Sequence, residues 1–442
     1  DPTTLQTHPS MSTIQSIKAR QIYDSRGNPT TEVDITTKDG MFRAACPSGA
    51  STGEHEALEL RDGTSQWHGK SVFKAIKNIE EVFGPAVMGM DVTDQKAIDA
   101  KLLETDGTPH FSNYGANAAL PISMAVARAG AAALGKPLYA HLGALSGRTD
   151  VMRTPVPCMN IINGGKHAGN ALAPQEYMIA PFGAKDFAEA MRMGSEVYHH
   201  LKSILKKAYG IGSTSVGDEG GFAPPINNPR APLEVIMEAV KVAGYEGKVG
   251  ICMDTAASEF YNKETKMYNL NFKGEEANWI SGAEMADMYM EWCREFPIIS
   301  IEDPFDENDF ESFAVLLAKV KAAGLPTQIV GDDLTVSQAE RVQDAINKKA
   351  CNSLLLKVNQ VGTVTGAIEA TLLAMSDDWS VMVSHRSGET EDVFIADLVC
   401  GLGTGQIKTG APCRSERTAK LNQMLRIEEE TGMPFGFDSW TA

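Results

Sequence analysis

Between Val156 and Gly410 the chain keeps one rhythm, a short apolar run followed by a stretch with helical periodicity. The runs are VPCMNII (156–162), EYMIA (176–180), GICMD (250–254), IISIED (298–303), QIVGDD (328–333), NSLLLK (352–357), SVMVSH (380–385) and QIKTG (406–410). Asp186 can cap a helix whose apolar stripe is Phe187, Met191, Tyr198, Leu201 and Leu205. Eight such runs alternating with helices predict a (β/α)8 barrel with insertions.

The first third reads differently. Around the turn cluster SRGNPT (25–30) the pattern is strand, turn, strand, with Glu32-Val33-Asp34-Ile35 alternating. The small-residue loop PSGASTG (47–53) comes next, and VFKAIKNIEEVF (72–83) aligns Val72, Ile76, Ile79 and Phe83 at helical spacing. Strands followed by helices predict a small α+β domain. The expected division is a leader or cloning remnant at 1–10, the α+β domain at 11–148 and the barrel at 149–442.

A net charge of −17 opposes phosphate backbones and anionic bilayers, so no nucleic-acid partner and no membrane insertion are expected. The alanine-rich segment 115–135 contains Pro121 and Arg128, which fits a closely packed helix better than a membrane span. Seven cysteines without a C-x-x-C pair point to a reduced, cytoplasmic compartment.

The charges that interrupt the apolar runs narrow the function. Asp254, Glu302, Asp332, Lys357, His385 and Lys408 each fall at or near the C-terminal end of a predicted strand. Barrel strands of this kind end on one face, where barrel enzymes place their chemistry. A single strand-ending aspartate is usually a cap or turn former, and a single lysine after leucines usually reaches out to solvent. Six on consecutive strands form a bowl. Three carboxylates brought together there repel one another, and a divalent cation removes that cost. The all-oxygen set favours Mg²⁺ over zinc.

Opposite the carboxylates, Lys357, His385, Arg386 and Lys408 supply enough positive charge for a doubly anionic substrate, and Arg386-Ser387-Gly388 suits a phosphate. Two loops add His167, within NGGKHAGN (163–170), and Asp218-Glu219, within VGDEGGFAPP (216–225). A lysine facing a carboxylic acid across a metal suggests proton abstraction next to a carboxylate, with the acid assisting a leaving group. Lys408 and a bound metal are expected to lower the Lys357 pKa. A Schiff-base aldolase would also use a strand-end lysine, but it leaves the acidic trio unexplained.

The motifs SGAST (48–52), NGGKHAG (163–169), QE (175–176), GDEGGFAP (217–224) and SIEDP (300–304) resemble those of the enolase family. So do GDDLTV (331–336), LLLKVNQVGT (354–363), SHRSGETED (384–392) and QIKTGAP (406–412). The resemblance implies an enolase-type barrel with an antiparallel second strand. It also implies reversible dehydration of 2-phospho-D-glycerate to phosphoenolpyruvate in glycolysis and gluconeogenesis, the work of a hydro-lyase.

On the matching positions, Lys357 would take the C2 proton and Glu219 would help the C3 hydroxyl leave. Asp254, Glu302 and Asp332 would hold one Mg²⁺, and Ser51 would ligate a second. Arg386 and Ser387 would grip phosphate and Lys408 the carboxylate, while His167, Glu176 and His385 line the pocket with supporting catalytic roles. A homodimer is implied, with Arg20 and Arg26 at positions resembling its contact. The alternative implied by the same resemblance is a non-catalytic or moonlighting surface protein that binds plasminogen. Thr31, Tyr114 and Ala173-Pro174 depart from the family pattern without touching these charges.

Overall fold

The computed structural model describes residues 11–50 and 53–440. The small domain opens with an antiparallel sheet, β1 (Ser16–Tyr23), β2 (Pro29–Thr37) and β3 (Gly40–Ala45), in that order. On β2 the buried residues Val33 and Ile35 alternate with half-buried Glu32 and Asp34, as a sheet with one covered face requires. The cover is the helix Ala116–Ala133, which is buried along nearly its whole length and packs on β2 and β3. Thr31 has a specific contact here: its hydroxyl donates to the Asn117 carbonyl at the start of that helix. The stretch 72–83 is helical from Phe73, and from Ile79 to Phe83 it widens into a π-helical turn.

Barrel strands β4 (Val156–Asn163), β5 (Glu176–Ala180) and β6 (Gly250–Asp254) precede a small insert, β7 (Tyr261–Asn262), β8 (Met267–Asn269) and β9 (Trp279–Ser281). The barrel resumes with β10 (Ile298–Glu302), β11 (Gln328–Gly331), β12 (Ser353–Leu356), β13 (Ser380–Ser384) and β14 (Gln406–Lys408). It closes as β4-β5-β6-β10-β11-β12-β13-β14, with β14 returning to β4. Strand β5 runs antiparallel to both neighbours; every other pairing is parallel.

Period-two alternation makes this wall a frame for a site. Leu354 and Leu356 pack outward into the main core beneath the helices, whereas Leu355 belongs to the barrel interior with Val156, Cys158, Cys252, Val330 and Met382. Lys357 follows Leu355 by two positions and so shares its inward face. Asp254 stands in the same relation to Cys252, and Asp332 to Val330. Lower in the barrel, Gln328 and Gln406 exchange hydrogen bonds of 2.7 and 3.2 Å, and Ser300 and Ser380 complete the polar layer. Among the described residues no single helix is long and apolar enough to cross a membrane.

The two domains are clasped. Arg128, on the small-domain helix, makes a fork of 2.8 and 2.7 Å to Asp392, beyond β13. Asp99 accepts the Thr365 N–H at 2.9 Å and Ser123 accepts that of Val364 at 2.9 Å, so small-domain side chains cap the barrel helix Val364–Ser376.

Candidate active site

The reversal of β5 explains how Glu176 reaches the bowl. A parallel strand offers its last residue to the catalytic face; β5 offers its first, and Glu176 pairs in register with Asp254 at the end of β6. Glu219 arrives by another route. Between β5 and β6 the chain runs through helix Phe187–Tyr209, the loop bearing Glu219 and helix Ala231–Ala243. That loop is pinned to the upper end of β4 by Phe222 N–H to Ile161 carbonyl (2.9 Å) and Asn163 N–H to Phe222 carbonyl (2.9 Å). Asn160 of β4 donates to Glu219 Oε2 at 3.0 Å and fixes its carboxylate.

His167, Glu176, Glu219, Asp254, Lys357, His385, Arg386, Ser387 and Lys408 line one cleft of about 260 Å³. Glu302 and Asp332 join it through their partners. Lys408 Nζ lies 2.9 Å from Asp254, 2.8 Å from Glu302 and 3.1 Å from Glu176. Burial would depress this ammonium, but the Asp254, Glu176 and Glu302 carboxylates hold it well above the lysine range. Lys357 pairs with Asp332, whose other oxygen accepts from Gln360 at 2.9 Å. Ser51 lies outside the described residues.

Without a cation beside Asp332, Lys357 stands on the other side of its ordinary value from the one expected of the metal-loaded site. Burial lowers its pKa and Lys408 and Arg386 add to that, but the adjacent Asp332 carboxylate leaves it above the ordinary value. A lysine so paired is a base only after Asp332 is engaged by something more strongly positive.

The acid side is polarised as well. His167 Nδ1 lies 3.6 Å from both Glu176 and Glu219. Burial and the Glu219 charge push the Glu176 carboxyl well up. Burial would also raise Glu219, yet His385, His167 and Arg417 draw it well below its usual value. The two carboxyl groups are thus pushed in opposite directions, Glu176 upward and Glu219 downward.

Several contributors escaped the sequence reading. Arg417 is fully buried and donates to the carbonyls of Arg386 (2.6 Å), Ser387 (2.6 Å) and Asp218 (3.0 Å). Glu56, in the small domain, takes both terminal nitrogens of Arg386 at 2.9 and 3.1 Å. Lys273, in the β8–β9 insert, donates to the carbonyls of Gly165, Ala168 and Asn170 and holds the loop that carries His167. Glu56 follows the SGAST loop closely and Arg417 follows QIKTGAP, so proximity to a motif was the available signal; Lys273 had none. Arg20 and Arg26 both have partners within the chain. Arg20 pairs with Glu32 (2.6 Å) and Asp34, while Arg26 turns to Asp24 (3.2 Å) and the Ser48 and Gly49 carbonyls.

Residues 14–142 match the family model described as the enolase N-terminal domain, and residues 151–439 match the enolase C-terminal TIM barrel domain. The chain belongs to the enolase family. An enolase from Eimeria tenella is 56% identical over 431 residues, covering 95% of this chain and 96% of that protein. One from Solanum lycopersicum is 57% identical over 433 residues, with 96% of each chain covered. As an enolase-family enzyme the chain is a lyase, and the reversed β5 is the strand orientation that the resemblance implied.

The donor set fits the divalent metal of an enolase. Asp254, Glu302 and Asp332 offer only carboxylate oxygens, all buried, and the ammonium groups of Lys408 and Lys357 lie against them. Two tight groupings of possible ligands lie beside this trio, His167–Glu176–Glu219 and Asp303–Asp332–Asp333, the second sharing Asp332 with it.

Proposed function

We propose that this chain interconverts 2-phospho-D-glycerate and phosphoenolpyruvate, with Lys357 as the base at C2 and the Glu176–Glu219 pair serving the C3 hydroxyl. The observation that carries this reading is topological. Lys357 extends from β12 and Glu176 opens β5, four strands away around an eight-stranded barrel. A substrate between them would present its C2 proton to one side and its leaving hydroxyl to the other.

Asp254, Glu302 and Asp332 are proposed to hold one Mg²⁺ and Ser51 to contribute to a second. The cation supplies charge stabilisation for the substrate carboxylate as its α-proton leaves. With its charge shared with a cation, Asp332 would hold the Lys357 ammonium less strongly, and the lysine would be able to accept a proton. Lys408 is proposed to meet the substrate carboxylate, and Arg386 with Ser387 the phosphate. Arg386 is already aimed by Glu56 and Asn359. His385 and His167 orient the acid pair.

The segment 11–148 is proposed as the lid domain over a barrel spanning 149–442. The cytoplasm and a homodimer are proposed as its setting and state, supported by family membership and by seven cysteines that are all free thiols. Light scattering on the purified chain tests the dimer.

The test of function is ultraviolet detection of phosphoenolpyruvate formed from 2-phosphoglycerate, first with Mg²⁺ and then with chelator. Turnover that chelation abolishes and borohydride does not trap supports the reading. A covalent lysine adduct surviving chelation overturns it.

A further inference from the structure

Asp303 immediately follows β10 and precedes Pro304. It is buried, yet its backbone is left-handed, with φ +39°. A non-glycine residue held there costs about 1–3 kcal/mol, and a following proline narrows its choices further. Such a conformation persists only where the surroundings over-determine it.

Four hydrogen bonds do so. The Asp303 N–H donates to the Val330 carbonyl on β11 at 3.0 Å, and its own carbonyl accepts the Ala257 N–H, beyond β6, at 3.2 Å. Its Oδ1 accepts the Asp332 N–H at 2.9 Å and its Oδ2 the Asp333 N–H at 2.7 Å. One residue thus ties together the ends of β6, β10 and β11, the strands that carry Asp254, Glu302 and Asp332. Both oxygens of its carboxylate are thus engaged by the backbone of the next loop. That loop coils tightly: the Asp332 carbonyl accepts from Thr335 (3.0 Å) and Val336 (2.7 Å), and Val336 and Ser337 have φ of +42° and +53°. Ser337 in turn accepts the Lys357 N–H at 2.9 Å.

We propose that Asp303 is a positioning residue that aims Asp332 at the cation by gripping two consecutive backbone N–H groups, and through the same loop sets Lys357. This rests on the reading of Asp332 as a cation ligand. Residues that orient metal ligands change affinity by roughly 10- to 100-fold when altered. Asp303→Asn keeps the shape but turns an amide NH₂ toward one of the two N–H donors.

The experiment is calorimetric titration of the substrate-free enzyme with Mg²⁺, together with the Mg²⁺ dependence of turnover and the melting temperature. For Asp303→Asn the expected result is at least tenfold weaker Mg²⁺ binding and an equal rise in the Mg²⁺ needed for half-maximal turnover. Turnover should largely recover at saturating Mg²⁺, and the melting temperature should stay within a few degrees of wild type. Unchanged Mg²⁺ affinity in Asp303→Asn, alongside lost affinity in Asp332→Asn, overturns the proposal. Unchanged affinity in Asp332→Asn overturns the ligand reading instead. If Asp303→Asn does not fold, Asp303→Glu keeps the charge and displaces the oxygens: weakened binding supports the proposal and wild-type binding overturns it.

Discussion

Arg417 Nη1 lies 2.5 Å from His385 Nδ1. A guanidinium is always a donor, so Nδ1 must be the acceptor and the ring proton must sit on Nε2. Nε2 is the atom that faces Glu219, at 3.3 Å. Burial pushes the His385 pKa down to about 3, with Arg417 acting in the same direction. His385 is therefore a neutral ring at working pH, with a tautomer dictated by a residue that never touches the cleft.

This predicts the outcome of Arg417→Lys. An ammonium keeps the charge but cannot reach three carbonyls and the ring together. Turnover should fall at least tenfold and the melting temperature should drop, because each unpartnered buried acceptor costs about 1–3 kcal/mol. Nitrogen-15 spectra of His385 should show the tautomer losing its bias.

Lys357→Ala should fold and still bind Mg²⁺ in calorimetry, while losing roughly 10²–10⁴ in turnover, the usual worth of a general base. Near-normal kinetics in that variant would end the assignment of Lys357 as the base.

Lys357 also marks how far the sequence could be read. The eight strands and the inward residues that close them were legible because strand alternation and apolar patterning are local. The direction of β5 was not, since a five-residue buried run, EYMIA, looks the same in either orientation; only the motif resemblance supplied it. Pairings such as Lys357 with Asp332, and Lys408 with Asp254, Glu302 and Glu176, depend on three-dimensional distance. The Asp332 contact, which holds the Lys357 ammonium in the absence of a cation, was therefore not legible in the sequence.

Asp397 offers a pH-dependent test away from the site. Burial raises its pKa to about 6, only partly offset by Arg128 and Gln423. An acid raised on folding contributes stability below its unfolded value near 4, and that stability is lost as pH climbs through 6. Asp397→Asn should therefore stabilise the protein at pH 8, by up to about 3 kcal/mol, and change little at pH 4. Urea unfolding at the two pH values measures the difference.

The Arg128–Asp392 fork should behave as one unit. Burial would raise the Asp392 carboxyl, and Arg128 keeps it lowered. Removing either partner strands the other, at about 3–5 kcal/mol. Chemical denaturation of Arg128→Ala, Asp392→Ala and the double variant should show strong non-additivity; independent, additive losses would dissolve the clasp.

The backward strand has an architectural consequence. Because β5 finishes at the floor of the barrel, the chain must climb and descend once more before β6 can begin. That detour delivers Glu219 from a helical arch, while Asp254 and Glu302 are paired in the strand ladder and Asp332 follows directly on β11. The two halves of the site thus stand under different rules of change. The carboxylate half, proposed to hold the cation, cannot shift without breaking barrel register, whereas the arch can be lengthened, shortened or tilted with the ladder intact. Selection could retune the leaving-group chemistry of such a barrel while its grip on the substrate carboxylate stayed fixed.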